Sequence, residues 1–453
     1  MKSKHLYLIL TMFAIAAPMG LLAQQHALSG DSEAPLLTLD DAVSLALKDN
    51  RLVKNSVLEV QKFDFQVDAM RTKRLPQFQF TALDGGLLHS FDYTFQRGVF
   101  GTYPGIGPIP GTETKIKSPS TFTSTVIGSV NQPLTQQHKI GLGIRATEVG
   151  RDIAKEDVRG ERQTIAAEVR SAYFEIVATQ AGVDATREEV KTLEEAQRVT
   201  AQYIAQKTVL RADALEVDAR LAKAQYDLSV AENGLATQQE HLNQLLGRDL
   251  DTPFRVNSMP EEDATVLTLE AARHQASQNR PEIRAAQLKE KQAEYDRRLA
   301  KAEYIPDLSL SLQYLGLENF QVLPNNVAVA GFLLTWEPFD WGRRRNQVKE
   351  KTKTVEQARN GAQETESQIA VEVGMKYRQW KEAALLLKAS RTAHEAAAEQ
   401  FRVAGNQYQQ RAVLVKDVLQ AQAQTSETAF KYQQALSSYW TALAQLHKAT
   451  GEE

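Results

Sequence analysis

Two hydrophobic periods divide this chain. In Leu308-Ser309-Leu310-Ser311-Leu312-Gln313-Tyr314 every second residue is apolar, and Gln77-Phe78-Gln79-Phe80 does the same. A period of two sends successive side chains to opposite faces of a strand. Charges disappear nearby: residues 118–137 and 319–336 contain no Asp, Glu, Lys or Arg. Strands are predicted over about 77–88 and 120–132, and again over about 307–316 and 327–336. The stretches 140–206 and 343–409 have no proline and are rich in Ala, Glu, Gln, Arg and Val. At 1.5 Å per residue each predicts a helix of about 100 Å. Shorter helices follow over about 212–246 and 413–450, and one helix precedes each strand pair, over 38–74 and 268–304. Two short helices end to end match one long helix. The short pair is therefore expected to pack alongside the long one, as in an extended coiled-coil wall.

The pattern is duplicated. Thr38-Leu39-Asp40-Asp41-Ala42 returns as Thr268-Leu269-Glu270-Ala271-Ala272, and Leu75-Pro76 returns as Ile305-Pro306, both at an offset of 230. Beyond the strands the offset is 204: Glu168-Val169 with Tyr173 matches Glu372-Val373 with Tyr377. Asp213-Ala214-Leu215 matches Asp417-Val418-Leu419, and Gly247 matches Gly451. The change of offset requires an insertion, visible as residues 89–119 against about 316–326 in the second half. The chain is thus read as a first repeat over 24–247, a linker over 248–267 and a second repeat over 268–453. Thr38 and Thr268 are candidate helix caps, with Asp41 completing a capping pair in the first half only. Pro76 and Pro306 stop the helices they follow.

Four strands cannot close a barrel, because small barrels need about eight. An open sheet in lipid would leave unpaired edges. If these strands lie in a membrane, copies must share one barrel and one helical tube. A soluble half-buried sheet alternates too, so a soluble periplasmic coiled-coil adaptor or scaffold stays open as an alternative.

Composition narrows the classes. Residues 1–23 carry Lys2 and Lys4, an apolar run broken by Pro18 and Gly20, and Leu21-Leu22-Ala23 before Gln24. They read as a secretory signal peptide; an uncleaved anchor would need a longer unbroken core. The 453 residues include no cysteine, which excludes disulfides, zinc fingers, thiol catalysis and a lipid anchor on cysteine. A net charge of −3 argues against nucleic acid as a partner. A mean hydropathy of −0.39 argues against a bundle of membrane-spanning helices, but not against alternating strands. The eight histidines are scattered, and no phosphate loop, nucleophile elbow or zinc-ligand spacing occurs. No enzyme, cofactor or metal site is expected.

The two openings at Leu37–Ala42 and Leu267–Ala272 carry a resemblance, together with the strand exit Trp336-Glu337-Pro338-Phe339-Asp340-Trp341-Gly342-Arg343. Lys416-Asp417-Val418-Leu419-Gln420-Ala421-Gln422 adds to it. As an ordered set the chain resembles the TolC-like outer membrane efflux proteins over essentially all of 24–453. The resemblance implies a mainly α fold with β: a trimer whose four strands per chain make a 12-stranded outer membrane barrel, continuing into a long periplasmic α-helical barrel. It implies an exit duct for a tripartite pump or a type I secretion system, with a periplasmic adaptor and an inner-membrane pump as partners.

It also implies a gate at the two helical turns. Tyr408 matches a tethering aromatic, Asp213 an acidic partner, and Asp417 and Gln420 the pore constriction. Asp213 and Asp417 can equally begin the returning helices as caps. Lys207 and Arg411 stand where many members carry glycine and dock the adaptor. Either they select an adaptor with an acidic tip or they are solvated turn charges. Two further departures stand out. Trp341 replaces the first glycine of the family's exit motif, and the first half, Pro133-Leu134-Thr135-Gln136, lacks that motif. The run Arg343-Arg344-Arg345 either snorkels at the membrane rim or starts a solvated helix. The 89–119 insertion reads as an extracellular loop.

Overall fold

The computed structural model describes residues 34–452 except 87, 89–91, 118–121, 206–210, 260–267, 319–323, 411 and 414. The predicted signal peptide, Lys207 and Arg411 lie outside the described residues. The chain begins β1 (Leu36–Leu37), α1 (Leu39–Asp49), α2 (Arg51–Thr72) and β2 (Gln77–Gly86). An excursion follows: β3 (Asp92–Phe95), β4 (Thr102–Tyr103), β5 (Gly107–Pro108) and β6 (Thr114–Lys117). Then come β7 (Phe122–Pro133), the long α3 (Gln136–Ala205), α4 (Arg211–Leu245) and β8 (Arg255–Val256). The same order of helices and long strands returns as α5 (Leu269–Asn279), α6 (Pro281–Ala302), β9 (Asp307–Glu318), β10 (Asn326–Thr335), α7 (Arg343–Gln409) and α8 (Val415–Thr450). With 70 and 67 residues, α3 and α7 are each about 100 Å long.

The structure corrects three sequence expectations. The single helices predicted over 38–74 and 268–304 are each two helices. Asn50 ends α1 and caps α2: its side-chain oxygen accepts from Leu52 N at 2.8 Å, and its amide donates to Leu245 O, also at 2.8 Å. In the second half Arg280 makes the break, because the residue before a proline avoids the helical region and Pro281 sits at the first position of α6. Arg280 does by charge what Asn50 does by amide. Its guanidinium donates to Lys448 O at 3.2 Å and pairs with Glu282 and Glu372 at 2.8 and 2.9 Å. Third, the linker 248–267 is not bare coil: β8 pairs in parallel with β1, Leu36 opposite Arg255. The 89–119 insertion, where described, folds as two small antiparallel sheets, β3 with β6 and β4 with β5.

The core gathers where the short helices meet. Leu37, Ala42, Ala46 and Val53 pack on Ile165, Val169, Tyr173 and Ile176 of α3 and on Leu242 and Leu246 of α4. The Tyr173 hydroxyl donates to Leu37 O at 2.9 Å and accepts from Asn257 N at 3.0 Å, tying β1 and the segment after β8 to α3. The second half builds a counterpart from Tyr377, Trp380, Leu387, Leu436, Tyr439 and Leu446. Trp440 joins the two, stacked 5.7 Å from Phe174 and edge-on to Tyr439 at 5.5 Å.

Matching glycines end the returning helices at this level. Gly247 and Gly451 have φ of 72° and 87°. Arg248 N donates to Asn243 O and Gly247 N to Gln244 O; Glu452 N donates to His447 O and Gly451 N to Lys448 O. This is the double bond pattern of a Schellman cap, which satisfies the last helical carbonyls. Beside the second cap, burial and Arg170 push the His447 imidazole below its ordinary 6.5, against the opposing pull of Glu452. The unfolded chain therefore takes up this proton first. Stability is expected to fall as pH drops below about 6.5, down to the depressed folded value. Thermal unfolding of wild type and His447→Gln at pH 7.5 and 5.5 checks this: the wild type should lose more than the variant.

The strands form one antiparallel sheet in the order β10–β9–β7–β2. Its middle pair joins the two halves, with Val130 opposite Leu312. The outer edges of β2 and β10 have no strand partner among the described residues.

Candidate functional site

Register sorts the sheet into two unlike faces. Phe78, Val130, Leu312 and Ala330 lie in one row, and Phe80, Gly128, Tyr314 and Ala328 in the next. On the other face the rows read Gln77, Asn131, Ser311, Gly331 and Gln79, Ser129, Gln313, Val329. Ser311 Oγ donates to Asn131 Oδ1 at 2.7 Å across the polar face. The apolar face is bare: Phe78, Phe80 and Phe332 are 78, 72 and 73% exposed. A soluble half-buried sheet would cover that face, and nothing in the described chain does. Strands of 10–12 residues, tilted as in a barrel, span roughly the 25 Å apolar band of an outer membrane. Among the described residues no helix is long and apolar enough to cross a membrane.

The strand exits are built differently in the two halves. After β10, Asp340 accepts from Gly342 N and Arg344 N, each at 3.0 Å. The Arg344 N–H is the main cause holding the Asp340 carboxyl below its usual range, helped by Gly342 N–H and the charges of Arg344 and Arg343. Arg344 also lies 3.2 Å from Glu337 Oε2, and Arg343 pairs with Glu337. Those two arginines thus clamp the start of α7. After β7 there is no such motif. Thr135 donates to Pro306 O at 2.7 Å and accepts from Leu308 N at 2.8 Å, and Gln137 donates to Arg74 O at 2.8 Å.

At the far end the structure brings Asp417 and Gln420 together. They line one groove with Ala421, Gln424 and Thr428 of α8, and with Ala393, Ala396, Ala397 and Gln400 of α7. Thr425 Oγ1 donates to Ala397 O at 3.1 Å, stitching the pair. Asp417 lies in the first turn of α8, where the helix dipole favours a carboxylate. Gln420, one turn on, is exposed. Asp213 is the third residue of α4, in the other hairpin, and Tyr408 lies in the last turn of α7. The alanine lining was absent from the sequence reading. Its signal was present, since 393, 396, 397 and 400 share one helical face.

Against this geometry the comparisons decide the family. The family model described as "outer membrane efflux protein" matches residues 42–248 and 272–452. The chain belongs to the outer membrane efflux protein family. Solved structures share the fold of these efflux proteins across nearly the whole length. The CusC channel matches with TM-score 0.72 and 15% identity, covering 92% of each chain. The Campylobacter jejuni outer membrane channel CmeC matches at 0.70 and 18%, covering 91% of this chain and 85% of that one. The Neisseria gonorrhoeae channel MtrE, in its open state, matches at 0.69 and 17%, covering 91% and 89%. No curated protein matches in sequence. Family and structural neighbours are channels, which decides against the soluble adaptor or scaffold. Both halves of the repeat fall inside the efflux-protein match, each with its strands and its long helix.

Proposed function

We propose that three copies of this chain form a passive exit duct through the outer membrane. The observation that carries the reading is the sheet: one face exposed and apolar, the other polar through the rows of Gln77 and Gln79, and two edge strands without outer partners among the described residues. Pairing β2 of one copy with β10 of the next gives twelve strands, removes every edge and turns the polar face to a lumen. The long helices α3 and α7, each packed on shorter helices, continue that lumen into the periplasm as a helical tube. An adaptor and an inner-membrane pump load it at the turns that hold Lys207 and Arg411. Those two cations favour an adaptor with an acidic tip. Efflux through a tripartite pump is the favoured use, since the family to which the chain belongs is that of outer membrane efflux proteins; export by a type I system uses the same duct.

In the trimer the three Asp417 carboxylates, beside Gln420, ring the narrow end, tethered by Tyr408 and Asp213. Such a ring attracts cations into the mouth. Planar-bilayer recording tests the assignment. Asp417→Ala is expected to raise single-channel conductance or weaken cation preference. That shift should fade near 1 M salt, where the screening length is about 3 Å. Conductance and selectivity equal to wild type would remove Asp417 from the gate. Recovery of the wild-type protein in the soluble periplasm would remove the duct itself.

A further inference from the structure

We propose that Phe339 and Trp341, in the turn between β10 and α7, anchor the protein at the phospholipid interface of the membrane. The proposal rests on the reading that the sheet lies in lipid. Trp341 has φ 57°, and no other non-glycine residue among those described has positive φ. Glycine takes this conformation freely, whereas a Cβ strains it. Gly342 follows at φ 87°, so two left-handed residues run in succession. The Asp340 hydrogen bonds that shape the turn go to backbone N–H groups. A glycine at 341 would serve them equally well.

The strain is not offset inside the chain. Trp341 is 89% exposed, and its one ring contact is Phe339, edge-on at 4.7 Å and itself 67% exposed. Its indole N–H has no hydrogen-bond acceptor among the described residues. A side chain that costs local stability and touches almost nothing of its own chain acts on something outside it.

Position says what that is. The even-numbered residues of β10 on the apolar face, Phe332 and Leu334, lead on to Trp336, which is 58% exposed. The turn therefore begins where the apolar band ends. At that depth amphipathic rings settle among headgroups, with the ring against acyl chains and the N–H toward ester or phosphate oxygens. Arg345 stands in the first turn of α7, exposed and without an ion pair among the described residues, and supplies a cation for phosphate. Arg343 and Arg344 are already engaged by Glu337 and Asp340.

The test uses the full-length protein in phosphatidylcholine–phosphatidylglycerol vesicles whose acyl chains carry bromine near the carbonyl. Trp336 and Trp341 are the tryptophans at the interface; Trp380 and Trp440 lie in the helical core. Trp341→Phe is expected to remove about half of the lipid-quenched emission, one of two interfacial rings. Trp341→Gly relieves the backbone yet should lower the thermal midpoint in vesicles. Lipid quenching unchanged in Trp341→Phe, or a raised midpoint for Trp341→Gly in vesicles, overturns the anchor while quenching of Trp336 keeps the barrel. Screening of Trp341 from both lipid bromine and aqueous iodide means that a neighbouring copy or an adaptor covers it, and also overturns the anchor. Failure of brominated lipid to quench any tryptophan overturns the membrane reading together with the anchor.

Discussion

Phe80→Arg is expected to abolish heat-modifiable trimers in the outer membrane fraction, whereas Gln79→Arg, one residue before, is expected to leave them. The two positions differ only in face. Phe80 lies in the row with Gly128, Tyr314 and Ala328, and Gln79 in the row with Ser129, Gln313 and Val329 on the opposite side. Phe80 is the fourth of ten residues in β2 and is 72% exposed, so the chain itself gives an arginine there no partner. Charge on the lipid face near mid-depth costs about 2–4 kcal/mol. Repeated three times in a trimer, this reaches roughly 6–12 kcal/mol, comparable to the whole folding stability of a typical domain. Gln79→Arg points to a wet lumen and keeps its hydration. Equal trimer yields from the two variants would show that the faces are assigned wrongly. Semi-native gel electrophoresis of the membrane fraction reads the result.

Gly247→Ala is expected to lower the thermal midpoint more than any other single methyl addition in the helical region. The added Cβ would lie 2.4 Å from Asp49 O and 2.8 Å from Asp49 C. Those are backbone atoms, held by the break between α1 and α2, and cannot rotate away. The positive φ adds its own strain. Together these cost about 2–5 kcal/mol, combining a left-handed non-glycine residue with overpacking. Gly451→Ala, whose Cβ would meet Asn279 and Arg280 backbone at 2.8 and 3.0 Å, should follow. Gly234→Ala is the control: it lies within α4 with nothing within 4 Å, and should stabilise by roughly 0.5–1 kcal/mol through helix propensity. Similar midpoints for Gly234→Ala and Gly247→Ala would rule out the clamp.

Much of the architecture was readable from short-range pattern. Alternation in 308–314 marked a strand, and the proline-free runs marked helices whose observed ends fall within a few residues of the expected ones. The cap at Thr38 is present as read, with its hydroxyl oxygen accepting from Asp41 N at 3.2 Å. Where local signals were weak, the reading failed. Pro281 sits at the start of α6, but the helical composition on both sides of it hides the break. Asn50 gave less warning, because its decisive partner is Leu245 O, 195 residues away. Glycines inside α3 carry no local signal of what they pack against. Gly150 and Gly182 are sockets: a Cβ would lie 2.9 Å from Phe63 and 2.8 Å from Phe430. Asp417 and Gln420 were expected from the motif, and the alanines share one helical face in the sequence, but only the packing of α7 on α8 sets that face opposite Asp417 and Gln420.

Periodicity, caps and duplication are properties of residues within a few positions of one another, so the order of elements and the length of the helices follow from the amino-acid sequence. Strand pairing across halves, the face that stays bare and the clamp of Gly247 on Asp49 join residues far apart in the chain. No local preference encodes those choices, because they depend on which surfaces meet and which polar groups find partners on meeting. Trp341 shows the division most clearly. The sequence reveals a tryptophan in place of glycine, but only the folded turn reveals that the exchange strains the backbone and leaves the ring exposed at the end of an apolar sheet.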